Sequence, residues 1–355
     1  GGGRCNVTNG RNKPSELIHF YPRGHKKLHP LFKTFSTDHM MEWLSSRGVE
    51  TKTEQDLRVF PTSDSSQTII DCFTRVARKV GVQVVLNQKL TRIEGKDHQW
   101  QLYAGDQAYQ ADKLVIATGS SSSIWGVLEQ TGLSLTPPVP SLFTFKIDDE
   151  RIKDLQGVSF DKVEVKITKS KLKEEGPLLI THWGLSGPAI LKLSAWGARH
   201  LNETGYHFEV LINFLGGLKP DEAMLHFHRY QTSNPKKKVF NYALFDLPKR
   251  FWERLANHCG IADSTPFGEL SKKQVNKLME ELTQGRYQVK GKSTFKEEFV
   301  TSGGVKLSEI NLETFECKRF KNLYLAGEVL DIDALTGGFN FQACWSAGWV
   351  ISESV

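Results

Sequence analysis

Apolar residues recur at helical spacing in two stretches near the start of the chain. In the range 65–79 they fall every three or four positions and Gly81 follows, which predicts a helix with a glycine stop. A helix is also predicted over 35–47, because capping residues open it and Gly48 follows. Strands are predicted over the alternating runs 48–54, 57–61, 81–86, 100–103, 107–109 and 113–119. Helices and strands in this mixture indicate an α/β domain.

The pattern changes after residue 136. Pro137, Pro138 and Pro140 mark a domain crossing, since prolines interrupt regular structure. Short alternating runs then dominate to about residue 215, which predicts an antiparallel sheet or a small barrel. Within this part Ser186 or Gly187 could cap a helix that has Pro188 at its first position. Helical spacing follows over 223–230, 248–259 and 271–282, and strand spacing returns over 293–305.

The last fifty residues predict a strand, a glycine-rich loop and a helix. The apolar run 323–326 is typical of a buried strand, and the small apolar residues of 341–350 suit a helix packed on a sheet. Glycines admit close approach, and the first N–H groups of a helix lack partners, so the turn could bind an anion or an electron-rich heterocycle. The alternative is a glycine loop that serves packing alone.

The loop resembles a known motif. Gly327-Glu328, Thr336-Gly337-Gly338 and Asn340 are similar to the C-terminal FAD-binding motif of flavoproteins with two dinucleotide-binding folds. The resemblance extends through much of the chain, in the segments 1–9, 59–61, 117–119, 181–188 and 301–305. On these motifs the chain is identified as a member of a bacterial family of FAD-dependent oxidoreductases with aminoacetone oxidase-like and bile-acid reductase (BaiN-like) members.

One motif of this family is missing from the sequence. Its members open with a strand, a G-x-G-x-x-G turn and a helix that ends at an acidic residue, whereas no G-x-G-x-x-G occurs in these 355 residues. The chain is therefore expected to lack its first βαβ stretch. In dinucleotide-binding folds that stretch supplies pyrophosphate-binding amides and a central strand of the parallel sheet.

The resemblance implies an α/β, Rossmann-like FAD domain, N-terminally incomplete, that is interrupted by an inserted β-rich domain and a helical cap. The expected boundaries are 1–140 for the first part of the FAD domain, 141–218 with 288–305 for the β-rich insertion, 219–287 for the helical subdomain and 306–355 for the rest of the FAD domain.

The resemblance also implies which residues approach FAD. The segment 1–9 is expected to be a loop beside the isoalloxazine, Leu90 to meet the adenine through its main chain, and Thr118 and Gly119 to lie near the phosphates. Glu328 would lie near the ribityl-phosphate region, and the glycine loop near the N1/O2 edge of the ring. We expect Gly338→Val to abolish flavin retention, because the new side chain would occupy the approach path of the ring. The cofactor-binding residues so implied are Gly3, Arg4, Cys5, Asn6, Leu90, Thr118, Gly119, Gly327, Glu328, Thr336, Gly337, Gly338 and Asn340.

Two residues are weak candidates for catalysis. His182 has a side chain suited to proton transfer at neutral pH, although a hydrogen-bonded structural histidine at a strand end is the favoured interpretation. Cys5 could be a redox thiol, although a lone cysteine is more often a small packing residue. No other cluster supplies an acid–base pair.

Composition excludes several classes of protein. The five cysteines have no C-x-x-C spacing, which argues against a disulfide framework and a zinc site, so no metal is expected. No apolar run approaches the length of a membrane span, and no signal peptide is visible, so we expect a cytoplasmic protein without a membrane partner. The net charge of +6 is mild and its only tight run is Lys236-Lys237-Lys238, which is typical of a solvated loop. We therefore expect no nucleic-acid partner.

The sequence leaves three functions open. The first is an FAD-dependent oxidoreductase that transfers hydride between a small molecule and flavin, with oxygen, NAD(P)H or another acceptor as the second substrate. The second is a remnant that kept the fold, lost FAD and acts as a binding module. The third is a nucleic-acid-associated flavoprotein, which a clustering of lysines on one face would favour. The substrate and the oligomeric state are not readable.

Overall fold

The structure is a computed structural model that describes residues 3–96, 99–293 and 300–355. Gly1, Gly2 and most of the strand spacing at 293–300 lie outside these residues. The chain divides into two compact units, of which the first combines residues 1–140 with 300–355 and the second contains residues 141–299. We call them the outer unit and the inserted unit.

The first part of the outer unit alternates helices with short strands. Its strands are β1 (Thr8–Asn9), β2 (Thr51–Thr53), β3 (Arg58–Pro61), β4 (Leu90–Lys96), β5 (Gln99–Ala104), β6 (Gln107–Ala111), β7 (Leu114–Ile116) and β8 (Leu135–Ser141). Its helices are α1 (Pro14–Leu17), α2 (His25–Thr34), α3 (Thr37–Ser45), α4 (Ser66–Lys79) and α5 (Ser122–Gln130). Strands β1, β3 and β2 form one antiparallel sheet, and β4, β5 and β6 form a meander.

The helices predicted over 35–47 and 65–79 are confirmed as α3 and α4. Helix α3 starts at a capping box, in which the N–H of His39 donates to Ser36 Oγ at 3.4 Å and the N–H of Ser36 donates to His39 Nδ1 at 2.9 Å. Both contacts satisfy N–H groups that the helix leaves without a partner.

The loop predicted over 1–9 is partly wrong. Thr8 and Asn9 form strand β1, in register with Val59 and Arg58 of β3. Both residues are almost fully buried. Burial of polar residues is tolerated here because each side chain has a hydrogen-bond partner, Gln342 for Thr8 and the carbonyl of Gly337 for Asn9.

The strand predicted over 81–86 is wrong. None of the described strands pairs with this segment, and the N–H of Val82 donates instead to the carbonyl of Ala77 at 2.9 Å, in the turn that ends α4. Val82, Val84, Val85 and Leu86 are between 55% and 74% exposed. Apolar alternation forms a strand only where a neighbouring strand supplies hydrogen bonds.

The inserted unit is built on a seven-stranded antiparallel sheet, which confirms the antiparallel sheet predicted after residue 140. Its strands are β9 (Thr144–Lys146), β10 (Ser159–Ile167), β11 (Lys173–Thr181), β12 (Gly184–Ser186), β13 (His207–Asn213), β14 (Gly285–Lys290) and β15 (Lys292–Ser293). They lie in the order β14-β13-β10-β11-β12-β9-β15.

Helices cover this sheet and share one core with it. They are α6 (Pro188–Trp196), α7 (Ala198–Glu203), α8 (Pro220–Ser233), α9 (Lys249–His258) and α10 (Lys272–Gln284). The three helices predicted between 223 and 282 are confirmed as α8, α9 and α10. Gly187 is the N-cap of α6 and Pro188 its first residue, as predicted.

The chain returns to the outer unit with β16 (Val300–Val305), β17 (Leu323–Leu325) and α11 (Phe339–Ser354). Strand β16 pairs with β8, whose prolines are tolerated because it is an edge strand. Strand β17 pairs in parallel with β7, with Leu323 opposite Leu114 and Leu325 opposite Ile116. The predicted strand, glycine loop and helix at the C-terminus are confirmed.

Candidate functional site

The outer unit contains a cavity of about 790 Å³ beside helix α11. This volume lies within the usual range for small-molecule and cofactor sites. Six aromatic side chains line it: Phe35, Trp43, Phe73, Phe341, Trp345 and Trp349. No lysine or arginine lines it among the residues that the structure describes. The lining therefore suits a flat, largely apolar ring system rather than a phosphate group.

Four of the aromatic rings form one continuous stack. Trp43 stacks on Phe73 with centroids 5.0 Å apart, Phe73 on Trp345 at 5.3 Å, and Trp345 on Phe341 at 5.5 Å. Trp345 is held in place because its Nε1–H donates to the carbonyl of Val7 at 2.9 Å. A fixed aromatic wall of this kind favours stacking with a planar ligand.

Three glycines contribute to the lining: Gly119, Gly327 and Gly348. Gly348 lies inside helix α11, and a Cβ added there would meet no atom within 4 Å. A glycine inside a helix costs about 1 kcal/mol relative to alanine, and no packing contact in the described structure requires it. Its place on the wall indicates a surface open to close approach by a ligand.

Gly337 and Gly338 are packed against the chain itself. A Cβ on Gly338 would lie 2.3 Å from the carbonyl oxygen of Thr8, and one on Gly337 would lie 2.7 Å from the ring of Phe339. The physical reason given for the effect of Gly338→Val is therefore wrong, because the new side chain would collide with strand β1 rather than obstruct a ring.

Side chains at the start of the chain also bind this loop. In the amide orientation that satisfies both of its ends, Asn6 accepts from the N–H of Gly338 at 2.9 Å and donates to the carbonyl of Thr8 at 3.0 Å. Asn9 donates to the carbonyl of Gly337 at 2.9 Å. A cofactor contact to the Gly338 amide would have to replace Asn6.

Asn340 organises the loop before α11. Its Oδ1 accepts from the N–H of Ala334 at 2.8 Å and its Nδ2 donates to the carbonyl of Ala334 at 3.2 Å. The neighbouring Asp333 is fully buried in an ion pair with Arg23. The side chain of Asn340 thus fixes the loop while the residue also lines the cavity.

Two ionisable groups on the cavity wall have raised pKa values. Burial, with a smaller contribution from the charge of Asp333, raises the pKa of the Glu328 carboxyl. Burial, followed by the charge of Glu328, raises the pKa of the Cys344 thiol to about 12. Both shifts disfavour charge on the cavity wall, and Cys344 does not supply a thiolate at neutral pH.

The structure brings Gly119, Gly327, Glu328 and Asn340 together in the cavity lining. The remaining predicted residues lie outside that lining. Leu90 is half-buried at the start of β4, and the side chains of Thr118 and Thr336 are exposed.

The N-terminal candidates are engaged elsewhere. The N–H of Ser66 donates to the carbonyl of Gly3 at 2.8 Å. Arg4 donates to Asp64 at 2.9 Å and to Glu54 at 2.5 Å. Burial raises the pKa of Cys5, which disfavours the thiolate that thiol redox chemistry requires.

His182 belongs to the inserted unit, at the end of β11. It is exposed and lines a polar pocket of about 170 Å³ with Asp148, Asp149 and Thr181. No hydrogen bond to its ring occurs among the described residues. The interpretation favoured from the sequence, a hydrogen-bonded structural histidine, therefore does not match this geometry.

The described residues hold no group of three or more His, Cys, Asp or Glu side chains that could bind a metal ion. Across the same residues, every helix is too short or too polar to cross a membrane.

Sequence reasoning missed Gly348 and the aromatic stack. An isolated glycine in a helical pattern is ambiguous, since it can mark a turn, a packing contact or a ligand. Rings from α3, α4 and α11 meet only in three dimensions. The four aromatic residues between 339 and 349 were the available signal, because that many rings exceed what one buried helix face needs.

Comparison with known proteins identifies the family. The profile described as "HI0933-like protein Rossmann domain" matches residues 1–354. The chain is 29% identical over 367 residues to the ribosomal RNA dihydrouridine synthase of Escherichia coli (strain K12), covering all of this chain and 87% of that protein. It is 25% identical over 364 residues to the 3-dehydro-bile acid delta(4,6)-reductase of Clostridium scindens, covering all of this chain and 88% of that protein.

Among solved structures, the crystal structure of CtdE in complex with FAD matches with a TM-score of 0.30 and 9% identity, over 97% of this chain and 82% of that one. A TM-score this low indicates no more than a distant likeness. The profile match over nearly the whole chain is sufficient to assign the family. The chain belongs to the HI0933-like family of Rossmann-domain proteins, which confirms the family and the Rossmann-like fold predicted from the sequence motifs.

Proposed function

We propose that this protein is an FAD-dependent oxidoreductase and that the cavity beside α11 holds the flavin ring. The observation that carries the proposal is the cavity itself, about 790 Å³ in volume, with aromatic walls and an open glycine in a helix. Membership of the HI0933-like family supports it. When bound, FAD supplies hydride transfer, a chemistry that side chains do not provide.

The residues of the cavity have separate roles in this proposal. Trp345 and Phe341 offer a flat apolar surface for the ring, and Gly348 lets the ring approach the helix backbone. Asn340 positions the loop at the start of α11, whose positive end favours negative charge on a reduced ring. Glu328 offers a carboxyl to hydroxyl groups of the ribityl chain. A buried carboxyl is tolerated there because those hydroxyl groups can form hydrogen bonds with it.

We infer that the reaction is the reduction of a carbon–carbon double bond. The names of both relatives describe such a reduction, since one is a bile-acid reductase and the other a dihydrouridine synthase. A hydride reaches one carbon of the double bond and a proton reaches the other, while a pyridine nucleotide supplies the two electrons and is oxidised. Five free cysteines agree with a reducing, cytoplasmic setting for this chemistry.

Two substrate classes fit this reaction. The first is a small unsaturated molecule. The second is a uracil base in RNA, which the name of the Escherichia coli relative suggests and a cluster of cations on the inserted unit favours. Substrate class does not change the proposed role of the cavity.

Cofactor binding tests the proposal directly. The protein is titrated with FAD while its tryptophan fluorescence is followed, since Trp43, Trp345 and Trp349 line the cavity. We expect quenching, together with a flavin absorption band near about 450 nm that stays with the protein through gel filtration.

A Trp345→Leu variant should bind FAD more weakly. The matched control is Trp183→Leu, which removes an exposed tryptophan of the inserted unit. A protein that neither quenches nor retains FAD would support the cofactor-free binding module instead.

A further inference from the structure

The inserted unit carries a basic stretch without acidic residues. Residues 223–245 contain Arg229, Lys236, Lys237 and Lys238 but no aspartate or glutamate. In the described part of the chain none of these four cations lies within 4.0 Å of a carboxylate oxygen. Their charges are therefore not neutralised by the protein itself.

Several other surface cations of this unit are paired. Lys153 contacts Glu150 at 2.9 Å, Lys162 contacts Glu175 at 2.7 Å, and Arg286 contacts Glu209 at 2.8 Å. The basic stretch differs from the rest of the unit in its three consecutive lysines, which have no aspartate or glutamate close to them in the sequence.

Aromatic rings lie among these cations. The Nζ of Lys237 is 4.6 Å from the ring centroid of Tyr242 and 5.6 Å from that of Tyr230. Tyr242 is 43% exposed, so much of its ring is open to solvent. On α8, the ring of the exposed His226 packs on Phe245 with centroids 4.9 Å apart. Lys237 therefore lies beside two tyrosine rings, and Lys236 and Lys238 are its exposed neighbours in the chain.

A lysine run near a helix C-terminus has a simpler explanation, since cations stabilise the negative end of a helix. That effect is limited to the last turn and needs no aromatic partner. It accounts for Lys236 next to the end of α8, but it does not account for Tyr242, which lies beyond the helix and is exposed. The combination of lysines with an exposed aromatic ring is the pattern of single-strand nucleic-acid sites.

We propose that the basic surface, defined by Arg229, Tyr230, Lys236, Lys237, Lys238 and Tyr242, binds single-stranded RNA. The lysines and Arg229 contact phosphates, and Tyr242 stacks on a base. This inference rests on the RNA-directed form of the proposed function and assigns the surface that holds the strand, separately from the cavity that holds the ring.

The test measures binding of a fluorescein-labelled oligouridylate of about 16 nucleotides, a length that a single-strand site can cover. Fluorescence anisotropy is recorded between about 50 and 200 mM salt, a range over which phosphate contacts weaken strongly. The variant is Lys236→Gln/Lys237→Gln/Lys238→Gln. The control, Lys26→Gln/Lys27→Gln/Lys33→Gln, removes the same charge from exposed positions of α2 in the outer unit.

We expect the variant to bind the oligonucleotide about 10–100-fold more weakly, with the slope of log affinity against log salt reduced by about 2, since each lost phosphate contact removes about 0.7. The control should bind within about twofold of the unchanged protein. Tyr242→Leu should weaken binding by about tenfold with an unchanged salt slope, because stacking releases no counterions.

FAD uptake measured on the same samples separates this inference from the proposed function. A protein that retains FAD but binds no oligonucleotide, or whose two triple variants lose affinity equally, would overturn the basic surface alone. A protein that binds the oligonucleotide through these lysines but never takes up FAD would overturn the oxidoreductase and leave the surface intact. Displacement of the oligonucleotide by polyglutamate at equal charge would assign the surface to an acidic protein instead.

Discussion

The hydroxyl of Thr8 donates a buried hydrogen bond to Oε1 of Gln342 at 2.6 Å. The same glutamine donates through Nε2 to the carbonyl of Phe35 at 3.2 Å and to Ser346 Oγ at 3.0 Å. This network joins strand β1, the residue that follows α2 and helix α11 around the glycine loop and one side of the cavity.

Replacing Thr8 by valine should destabilise the outer unit. The change keeps the side-chain shape but leaves the buried Oε1 of Gln342 without its donor, which costs about 1–3 kcal/mol. Urea unfolding followed by tryptophan fluorescence measures the effect. Thr91→Val is the control, because Thr91 makes its hydrogen bond at an exposed position and its loss should cost under about 0.5 kcal/mol. Equal midpoints for the two variants would show that the network contributes little.

Gly348→Ala should separate stability from cofactor binding. Alanine favours the helix by up to about 1 kcal/mol, and its Cβ meets no atom within 4 Å, so thermal stability should rise. FAD affinity should fall, since the methyl group projects into the cavity. Gly126→Ala in α5 is the matched control, because that glycine is also helical and open but does not line the cavity. Unchanged FAD affinity in Gly348→Ala would mean that the ring lies away from this part of α11.

Glu328→Gln should stabilise the protein at neutral pH. Because the folded state raises the pKa of Glu328, folded protein binds its proton more tightly than unfolded protein does. The stabilisation from that bound proton is complete below the ordinary glutamate pKa of about 4.3 and is lost as pH rises through the raised folded value.

The gain in the glutamine variant should therefore be largest near pH 7 and vanish as the pH falls toward about 4. Its size is about 1.4 kcal/mol for each unit by which folding raises the pKa. Unfolding curves at several pH values measure it, with Glu353→Gln at an exposed position of α11 as the control. A gain that does not depend on pH would contradict the assignment to a buried carboxyl.

The ion pair between Arg23 and Asp333 should be far more sensitive than a surface pair. Their side chains are 11% and 0% exposed, so Asp333→Asn leaves a buried positive charge with reduced compensation, at a cost of about 3–5 kcal/mol. Arg58 and Asp56 form the comparison, with side chains 44% and 55% exposed. Asp56→Asn should change the unfolding free energy by less than about 1 kcal/mol. Similar losses in the two variants would show that Asp333 is not effectively buried.

Periodicity and end signals were sufficient to predict most helices of this chain. Helix α4 follows from apolar spacing closed by Gly81, and α6 follows from Gly187 and Pro188 at its start. These signals are local, because a helix satisfies its hydrogen bonds within its own segment. The run at 81–86 shows the limit of the method for strands, whose partners belong to other parts of the chain.

The site was predictable in kind but not in detail. The glycine loop could be recognised from its spacing, yet its contacts with Thr8 and Asn6 join residues more than 300 positions apart, which no local pattern encodes. The same holds for the aromatic stack, in which Trp43 of α3 meets Phe73 of α4 and Trp345 of α11. The pattern of one helix does not reveal which of its faces another helix will cover.

The outer unit is assembled from both ends of the chain, and this has a consequence for biosynthesis. Residues 141–299 are translated before Gln342 and Trp345, so the inserted unit can fold while the outer unit is still incomplete. Until α11 emerges, the apolar faces of α3 and α4 that it covers remain open to solvent and to aggregation. A nascent chain that stalls before residue 339 would therefore carry a finished inserted unit and a chaperone-dependent remainder.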